Sequence, residues 1–461
     1  MLTRVFATMN APGTGTRWHR GNFMRALVCF SVLTVLAACG SSDGGGNAPP
    51  ADTACSINEQ KQFVLDVARD WYLWNDLLPA QINVDDYATP EALLADIRSY
   101  SPGMVDAFSA IGSLQADQEF FGEGKFEGFG FSSRFEAADD LRLTRVFADS
   151  PAALGGLARG QRILELNGRT IAAIQAAEGV SAVLDQSPLE FKMREIGGGE
   201  FTVTIEQAVV TIDPVPQWRL IPRTGLTPVG YVEFAQFIST ADPQLEQVFA
   251  EFRASGVTDV IVDLRYNGGG LVSTAELFGD YLGGDVAENL IFSETRYNAD
   301  RAAENNRTEF FERLGNSISL EELVIVATGS TASASELVTN GMEPHVSVTI
   351  VGDSTFGKPI GQSGFDFCEQ RLRLTSFQIF NADGFGDYFD GLPADCVAND
   401  DLNVAVGADS DPNMVAALSY LNGGGCPVIA TPADFAKPGF ETETPQLNRF
   451  GPPSREFADA F

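Results

Sequence analysis

Leu323-Val324-Ile325-Val326-Ala327-Thr328-Gly329-Ser330-Thr331-Ala332-Ser333-Ala334-Ser335-Glu336 is the stretch that decides the fold. Its first five residues are apolar and mostly β-branched, which predicts a short buried strand. Residues 332–342 then read as a helix. Between the two lies a turn of glycine and hydroxyl residues, so Ser333 stands where a strand ends and a helix begins. Free N–H groups and the positive end of the helix dipole gather at such a junction, and both favour a developing oxyanion.

Two further turns of this composition follow apolar runs. Asp263-Leu264-Arg265-Tyr266-Asn267-Gly268-Gly269-Gly270 closes the run Val260–Leu264, and Gly352-Asp353-Ser354-Thr355-Phe356-Gly357-Lys358-Pro359 closes the run Ser347–Val351. Together the three turns hold a hydroxyl nucleophile, an amine to act as its base and glycine amides to hold an oxyanion. This is the inventory of a Ser–Lys hydrolase. An unperturbed lysine with a pKa of about 10.4 is neutral in only about one molecule in 2,500 at pH 7, so the amine needs desolvation. Phe356, Pro359 and Ile360 offer apolar cover. The competing base is His345, since the other of the two histidines, His19, falls in a leader segment. His345 follows Glu343-Pro344 past a helix end and reads as a loop residue. No His-Glu-x-x-His or Cys-x-x-Cys spacing occurs, so no metal site and no cofactor is expected.

The three turns in this order, with Gln362 four positions after Lys358, resemble those of the carboxyl-terminal processing (tail-specific) serine peptidases. The resemblance implies Ser333 as nucleophile, Lys358 as general base and Gln362 as the residue that orients the lysine. It implies an oxyanion hole from the backbone N–H of Ala334 and of a glycine in the upstream turn, taken as Gly269. The family often has proline where this chain has Gly268, which loosens that turn. The resemblance also implies an α/β, crotonase-like layered core, in keeping with the strand–helix alternation from about 212 to 425.

Residues 121–210 read as a small strand-rich module. Gly128-Phe129-Gly130-Phe131 resembles the carboxylate-binding loop of PDZ domains, and Ser150-Pro151-Ala152 and Gly160-Gln161-Arg162-Ile163-Leu164-Glu165-Leu166-Asn167-Gly168 resemble later landmarks of that fold. Gln161 replaces the usual acid. Such a loop offers backbone N–H groups to a peptide's terminal carboxylate, and the next strand adds the peptide to a sheet edge. The expected partners are unstructured C-terminal tails of exported proteins.

At the amino terminus Arg17, Arg20 and Arg25 precede an apolar run from Ala26 to Ala38, too short for a membrane span and typical of a secretory signal. Leu36-Ala37-Ala38-Cys39 resembles the bacterial lipobox, which implies lipidation of Cys39 and attachment to a membrane. Gly40 in place of Asp, by resemblance to proteobacterial lipoprotein sorting, implies the outer membrane, facing the periplasm. Cys55, Cys368, Cys396 and Cys426 remain, an even number in a disulfide-permissive compartment. Of three possible pairings we expect Cys368–Cys396, because the segment between them reads as strands and turns that fold back, and hence Cys55–Cys426. The chain carries a net charge of −32, and residues 1–38 hold arginines and no acid, so the remainder is more acidic still. Such a surface repels nucleic acid and anionic headgroups.

The expected organisation is a signal peptide (1–38), a Gly/Ser/Pro-rich tether (39–54), an N-terminal helical domain (55–120), the PDZ-like domain (121–210), the peptidase core (211–430) and an irregular tail (431–461). Residues 57–76 form the first helix by the spacing of Phe63, Val64, Val67, Trp71 and Trp74. The functional expectation is a lipid-anchored serine endopeptidase. Its alternatives are a catalytically silent peptide-binding lipoprotein and a serine hydrolase of another acyl substrate.

Overall fold

A computed structural model describes residues 55–426. The expected signal, the lipobox cysteine Cys39, the tether and the tail from 431 lie outside the described residues. Near the amino end, helices α1 (Ile57–Trp71) and α2 (Pro90–Ser99) precede strand β1 (Ala110–Ser113). Ser56 caps α1, giving its hydroxyl to Glu59 and receiving the Glu59 amide, a reciprocal arrangement worth about 1 kcal/mol. The helix ends at Trp71, short of the expected 76, because Trp74 leads a separate turn.

The strand-rich module holds β2 (Phe131–Ala137), β3 (Asp140–Val146), β4 (Arg162–Leu166), helices α3 (Ile171–Ala177) and α4 (Val180–Leu184), β5 (Leu189–Arg194) and β6 (Glu200–Ile205). Its sheet runs β2-β3-β4-β5-β6, all antiparallel, so β2 lies at an edge. The module has its own core around Leu143, Ile163, Leu166, Ile174, Phe191 and Met193.

The remaining chain supplies β7 (Gln217–Ile221), β8 (Val229–Glu233), α5 (Asp242–Ala254), β9 (Asp259–Asp263), α6 (Val272–Gly283), β10 (Ile291–Tyr297), β11 (Arg307–Phe310), β12 (Glu322–Ala327), α7 (Ala334–Met342), β13 (Ser347–Gly352), β14 (Ile360–Phe367), β15 (Gln370–Phe380), β16 (Cys396–Val397) and α8 (Pro412–Ser419). One sheet has the order β7-β8-β9-β12-β13-β16, parallel from β8 onward. Its strands are apolar on both faces because both faces are covered. Val260, Val262, Leu323 and Ile325 join a core with Phe249, Phe252 and Phe278 of α5 and α6 and with Leu337 and Val338 of α7. Their neighbours Ile261, Val324 and Val326 face Met414, Ala416 and Ala417 of α8. A second sheet runs β1-β15-β10-β11, with β14 also paired to β15. Through β1, and through Val64, Leu93 and Ile97 packed on Leu372 and Leu374, the N-terminal helices are built onto this sheet. Residues 77–120 read from sequence as further short helices; four residues of β1 are too few to show a period, and pairing with β15 makes the strand.

The disulfides correct the expected pairing. Cys55 joins Cys368, with Cα atoms 5.7 Å apart, and Cys396 joins Cys426 at 5.2 Å. Cys368–Cys396 fails because the two belong to different sheets. Cys368 and Glu369, both at positive φ, form the two-residue turn of the β14–β15 hairpin, whereas Cys396 lies on edge strand β16 of the parallel sheet. The hairpin tip lies against the start of α1, where Phe63 stacks on Phe367 at 4.7 Å, and this brings Cys55 to Cys368. Cys426, just past α8, is thereby left to Cys396.

Candidate active site

The parallel register sets the site. Asp263 pairs with Val326 and Ala327 with Gly352, so β9, β12 and β13 end side by side and their three turns converge at one edge of the sheet. Ligand sites of open α/β sheets lie at such carboxyl ends. The turns are sewn together: the Thr331 hydroxyl donates to Leu264 O at 2.7 Å, the Ser335 hydroxyl to Asn267 O at 3.0 Å, and the Phe356 amide to Thr331 O at 2.9 Å.

Ser333 immediately precedes α7 with φ 57° and ψ −113°, a conformation that a non-glycine residue holds only when its surroundings force it. The force comes from both sides. A Cβ added to Gly269 meets Ser333 Cβ at 2.7 Å, so only glycine fits against this turn. The Ser333 amide, in turn, donates to Glu336 Oε2 at 2.8 Å.

Glu336, which sequence reading did not single out, is the centre of the site. It is fully buried, and it also accepts the amide of Lys358 at 2.8 Å, the amide of Gly357 at 2.7 Å and the hydroxyl of Thr355 at 2.6 Å. One carboxylate thus ties the serine turn to the lysine turn. Burial pushes its carboxyl above the ordinary range, and the four donors pull it back. The signal in the sequence was Glu336 itself, an acid three residues after a helix-start serine, as in a capping box.

Lys358 is 8% exposed. Among the described residues no hydrogen bond joins its amine to Ser333 Oγ; Nζ lies 4.4 Å from the centre of the Phe108 ring. Gln362, expected to orient the lysine, donates through Nε2 to Phe108 O at 2.9 Å, and among the described residues no hydrogen bond joins it to the lysine amine. Phe108 was invisible to sequence reading because it lies 250 residues away.

In the upstream turn, Asn267 donates Nδ2 to Phe234 O at 2.7 Å and accepts the Gly269 amide at 2.9 Å. The expected oxyanion donor Gly269 is therefore engaged within its own turn. Among the described residues the amides of Gly268 and Ala334 have no acceptor. His345 bonds through Nε2 to Ile291 O at 2.8 Å and packs edge-on against Phe311, with no contact to Ser333.

The Gly128–Phe131 loop enters edge strand β2. Its carbonyls point inward: Gly130 O takes the amide of Phe147 at 2.9 Å and the hydroxyl of Ser150 at 3.1 Å, and Phe129 O takes the amide of Ala152 at 2.8 Å. Phe129 itself is buried against Phe191. An added Cβ at Gly130 meets Ser150 Cβ at 2.2 Å, which requires glycine there.

A seam of charge joins the module to the turns. Arg145 pairs with Glu233 at 2.7 Å; Arg134 and Arg159 each reach Asp400 at 2.7 Å; Arg159 also donates to Tyr266 Oη at 2.8 Å, beside Asn267. Buried Arg265 binds Asp263 and Asp411 at 2.6 Å each. Burial alone raises the Asp400 carboxyl, but Arg159, Arg265 and Arg134 outweigh it and hold it down at about 2. Among the described residues no cluster suits a metal ion, and no helix is long and apolar enough to cross a membrane.

A model of peptidase family S41 matches residues 228–395, and one of the peptidase S41 N-terminal domain matches residues 59–110. The chain is similar to a carboxyl-terminal-processing protease of Synechocystis sp., 26% identical over 253 residues, 53% of this chain and 56% of the relative. It is similar to a carboxy-terminal-processing protease of Bartonella bacilliformis, 23% identical over 298 residues, 61% of this chain and 63% of the relative. The chain thus spans little more than half the length of these curated relatives. Among solved structures, a putative S41 protease from Bacteroides fragilis aligns with a TM-score of 0.62 at 24% identity, over 78% of this chain and 97% of that one. The photosystem II D1 C-terminal processing protease aligns with a TM-score of 0.50 at 20% identity, over 75% and 94%. Both likenesses speak to the fold.

Proposed function

The chain belongs to peptidase family S41, and from that premise we propose that it is an exported, lipid-anchored serine endopeptidase that captures unstructured C-terminal tails and cleaves them by a Ser–Lys mechanism. The observation that carries this reading is the Glu336 carboxylate, which holds the backbone of Ser333 and of Lys358 at once. In this mechanism the neutral amine of Lys358 turns from Phe108 and takes the proton of Ser333 Oγ as that oxygen attacks the scissile carbonyl. The oxyanion forms at the start of α7, facing the amides of Ala334 and Gly268. The ammonium then protonates the leaving amine, and a water repeats the cycle to free the acyl group.

Capture is assigned to the PDZ-like module. The Gly128–Phe131 loop turns its carbonyls inward, which leaves its amides for a terminal carboxylate, and β2 is an open edge for a peptide strand. Export and anchoring rest on the Arg-flanked apolar run and on Cys39; the two disulfides suit an oxidising compartment.

The test incubates the full chain and its variants with an unstructured peptide bearing a free or an amidated C-terminus, and maps products by mass spectrometry. Ser333→Ala and Lys358→Ala should abolish cleavage, His345→Ala should preserve it, and amidation should lower kcat/KM. Turnover by Lys358→Ala at the wild-type rate refutes the dyad. Equal kcat/KM for the two peptides refutes carboxylate capture.

A further inference from the structure

We propose that Phe108 is a positioning residue for the Lys358 amine, delivered to the active site by the N-terminal region; the proposal rests on the Ser–Lys reading above. Lys358 as a residue is buried, and among the described residues Nζ has no hydrogen-bond acceptor. The face of the Phe108 ring, 4.4 Å away, is its electrostatic partner. A ring face attracts an ammonium and offers no such attraction to a neutral amine.

The backbone that carries the ring is fixed by a buried network. The Phe108 amide donates to Asp106 Oδ1 at 3.1 Å and its carbonyl accepts from Gln362 on β14 at 2.9 Å. Buried Asp106 also accepts the amide and hydroxyl of Ser109, at 3.0 and 2.7 Å, and the hydroxyl of Thr375 on β15 at 2.8 Å. Phe356, two residues before the lysine, meets the ring edge-on at 5.9 Å. These bonds hold the Phe108 backbone against β14 and β15, and Phe356 flanks the ring itself. The charged or titratable groups around this corner include Asp106, which accepts the Phe108 amide, Tyr72 and Arg98 within electrostatic reach of Asp106, Glu336 on α7, which holds the Lys358 amide, and Tyr388 within electrostatic reach of Glu336.

The amine rests on the face of Phe108, which holds it at one place beside the serine turn, and Gln362 acts on the lysine by way of the Phe108 backbone.

Only five lysines occur in the chain, Lys61, Lys125, Lys192, Lys358 and Lys437, so the contact can be read directly. Lysine labelled with 13C at Cε gives a five-signal spectrum of the full chain, and Lys358→Arg assigns the ring-shifted signal. Phe108→Leu, which keeps bulk and removes the ring, should return that signal to the position of an exposed lysine. It should also lower kcat about 2- to 5-fold with KM little changed. Phe108→Tyr, which restores a ring, should keep both signal and kcat. A Lys358 signal that Phe108→Leu leaves unmoved overturns the proposal, as does a kcat common to the Leu, Tyr and wild-type chains. Wild-type turnover by Lys358→Ala overturns the dyad, and with it the role of the ring, while the spectral contact persists, so the two failures are told apart.

Discussion

Replacing Glu336 by Gln tests whether one buried carboxylate builds the site. The carboxylate accepts Ser333 and Lys358 amides on Oε2, and the Thr355 hydroxyl and Gly357 amide on Oε1. Glutamine has one acceptor oxygen. Placing its NH2 on the Oε2 side sets it against two N–H donors. Placing it on the Oε1 side sets it against one N–H and forces the Thr355 hydroxyl to reverse, so this side is favoured. Hydrogen bonds to a charged acceptor are worth about 1.5–3 kcal/mol each, and relief of the buried charge returns part of the loss, so the net cost is about 2–3 kcal/mol. Melting should fall by about 5 °C. Activity should fall further, because the lost bonds set the spacing of Ser333 and Lys358, the dyad proposed above, and an error of about 1 Å costs roughly 100-fold. Expected is a drop of about 10- to 100-fold in kcat with KM little changed, read alongside thermal unfolding of the same samples. Burial already raises the Glu336 carboxyl, so protonating the wild type resembles the substitution and the gap should narrow as pH falls. A Glu336→Gln enzyme with wild-type melting and turnover refutes the reasoning.

Non-reducing peptide mapping should recover the links Cys55–Cys368 and Cys396–Cys426, and a recovered Cys368–Cys396 peptide would contradict the topology described above. Asp280 on α6, which accepts the Glu312 amide at 2.7 Å, is pushed up to about 7 by burial, with that amide opposing. Its folded value exceeds its unfolded one, so the stability it confers is present below the ordinary aspartate range and is lost as pH rises through about 7. Asp280→Asn should therefore stabilise the fold by about 1–2 kcal/mol more at pH 8 than at pH 5 after screening by solvent, read as a larger gain in melting temperature at pH 8; equal gains at the two pH values would show that the burial cost is not electrostatic.

The parallel sheet was legible because its strands are continuous apolar runs and its turns carry unusual residues at their ends. β9, β12 and β13 begin and end within a residue of expectation for that reason. β8 stops at Glu233 although strand-like residues run on to Phe237, since Phe234–Phe237 turn away to meet the glycine turn, Phe237 bridging to Gly270. Apolarity alone could not separate a sheet residue from one packed under a loop. The site was legible where its residues are neighbours in sequence and illegible where they meet only in space. Ser333 and Lys358 announce themselves; Phe108 and Asp400 do not, because an ordinary Phe and an ordinary Asp gain their roles from distant partners. The disulfides failed for the same reason, since pairing depends on which sheet each cysteine joins.

The distribution of charge says what the turns require of the rest of the chain. Thirty basic residues stand against sixty-two acidic ones, yet Arg134, Arg145, Arg159 and Arg265 are gathered at the seam around Asp400, Glu233 and Asp263. A buried arginine is costly unless each of its donors finds an acceptor. Here every one of the four is paired, and Arg159 has both Asp400 and Tyr266. Tyr266 has φ 63°, a strained value for an aromatic residue, and directly precedes Asn267, whose side chain shapes the glycine turn beside Ser333. The strain is held in place by bonds that come from the module, as the backbone that carries the ring over Lys358 is held by bonds within the N-terminal region and to β14. Ser333 and Lys358 follow strands of one sheet, but the groups that fix their surroundings are anchored by two regions that both precede that sheet in sequence, so the parallel core by itself does not complete the site.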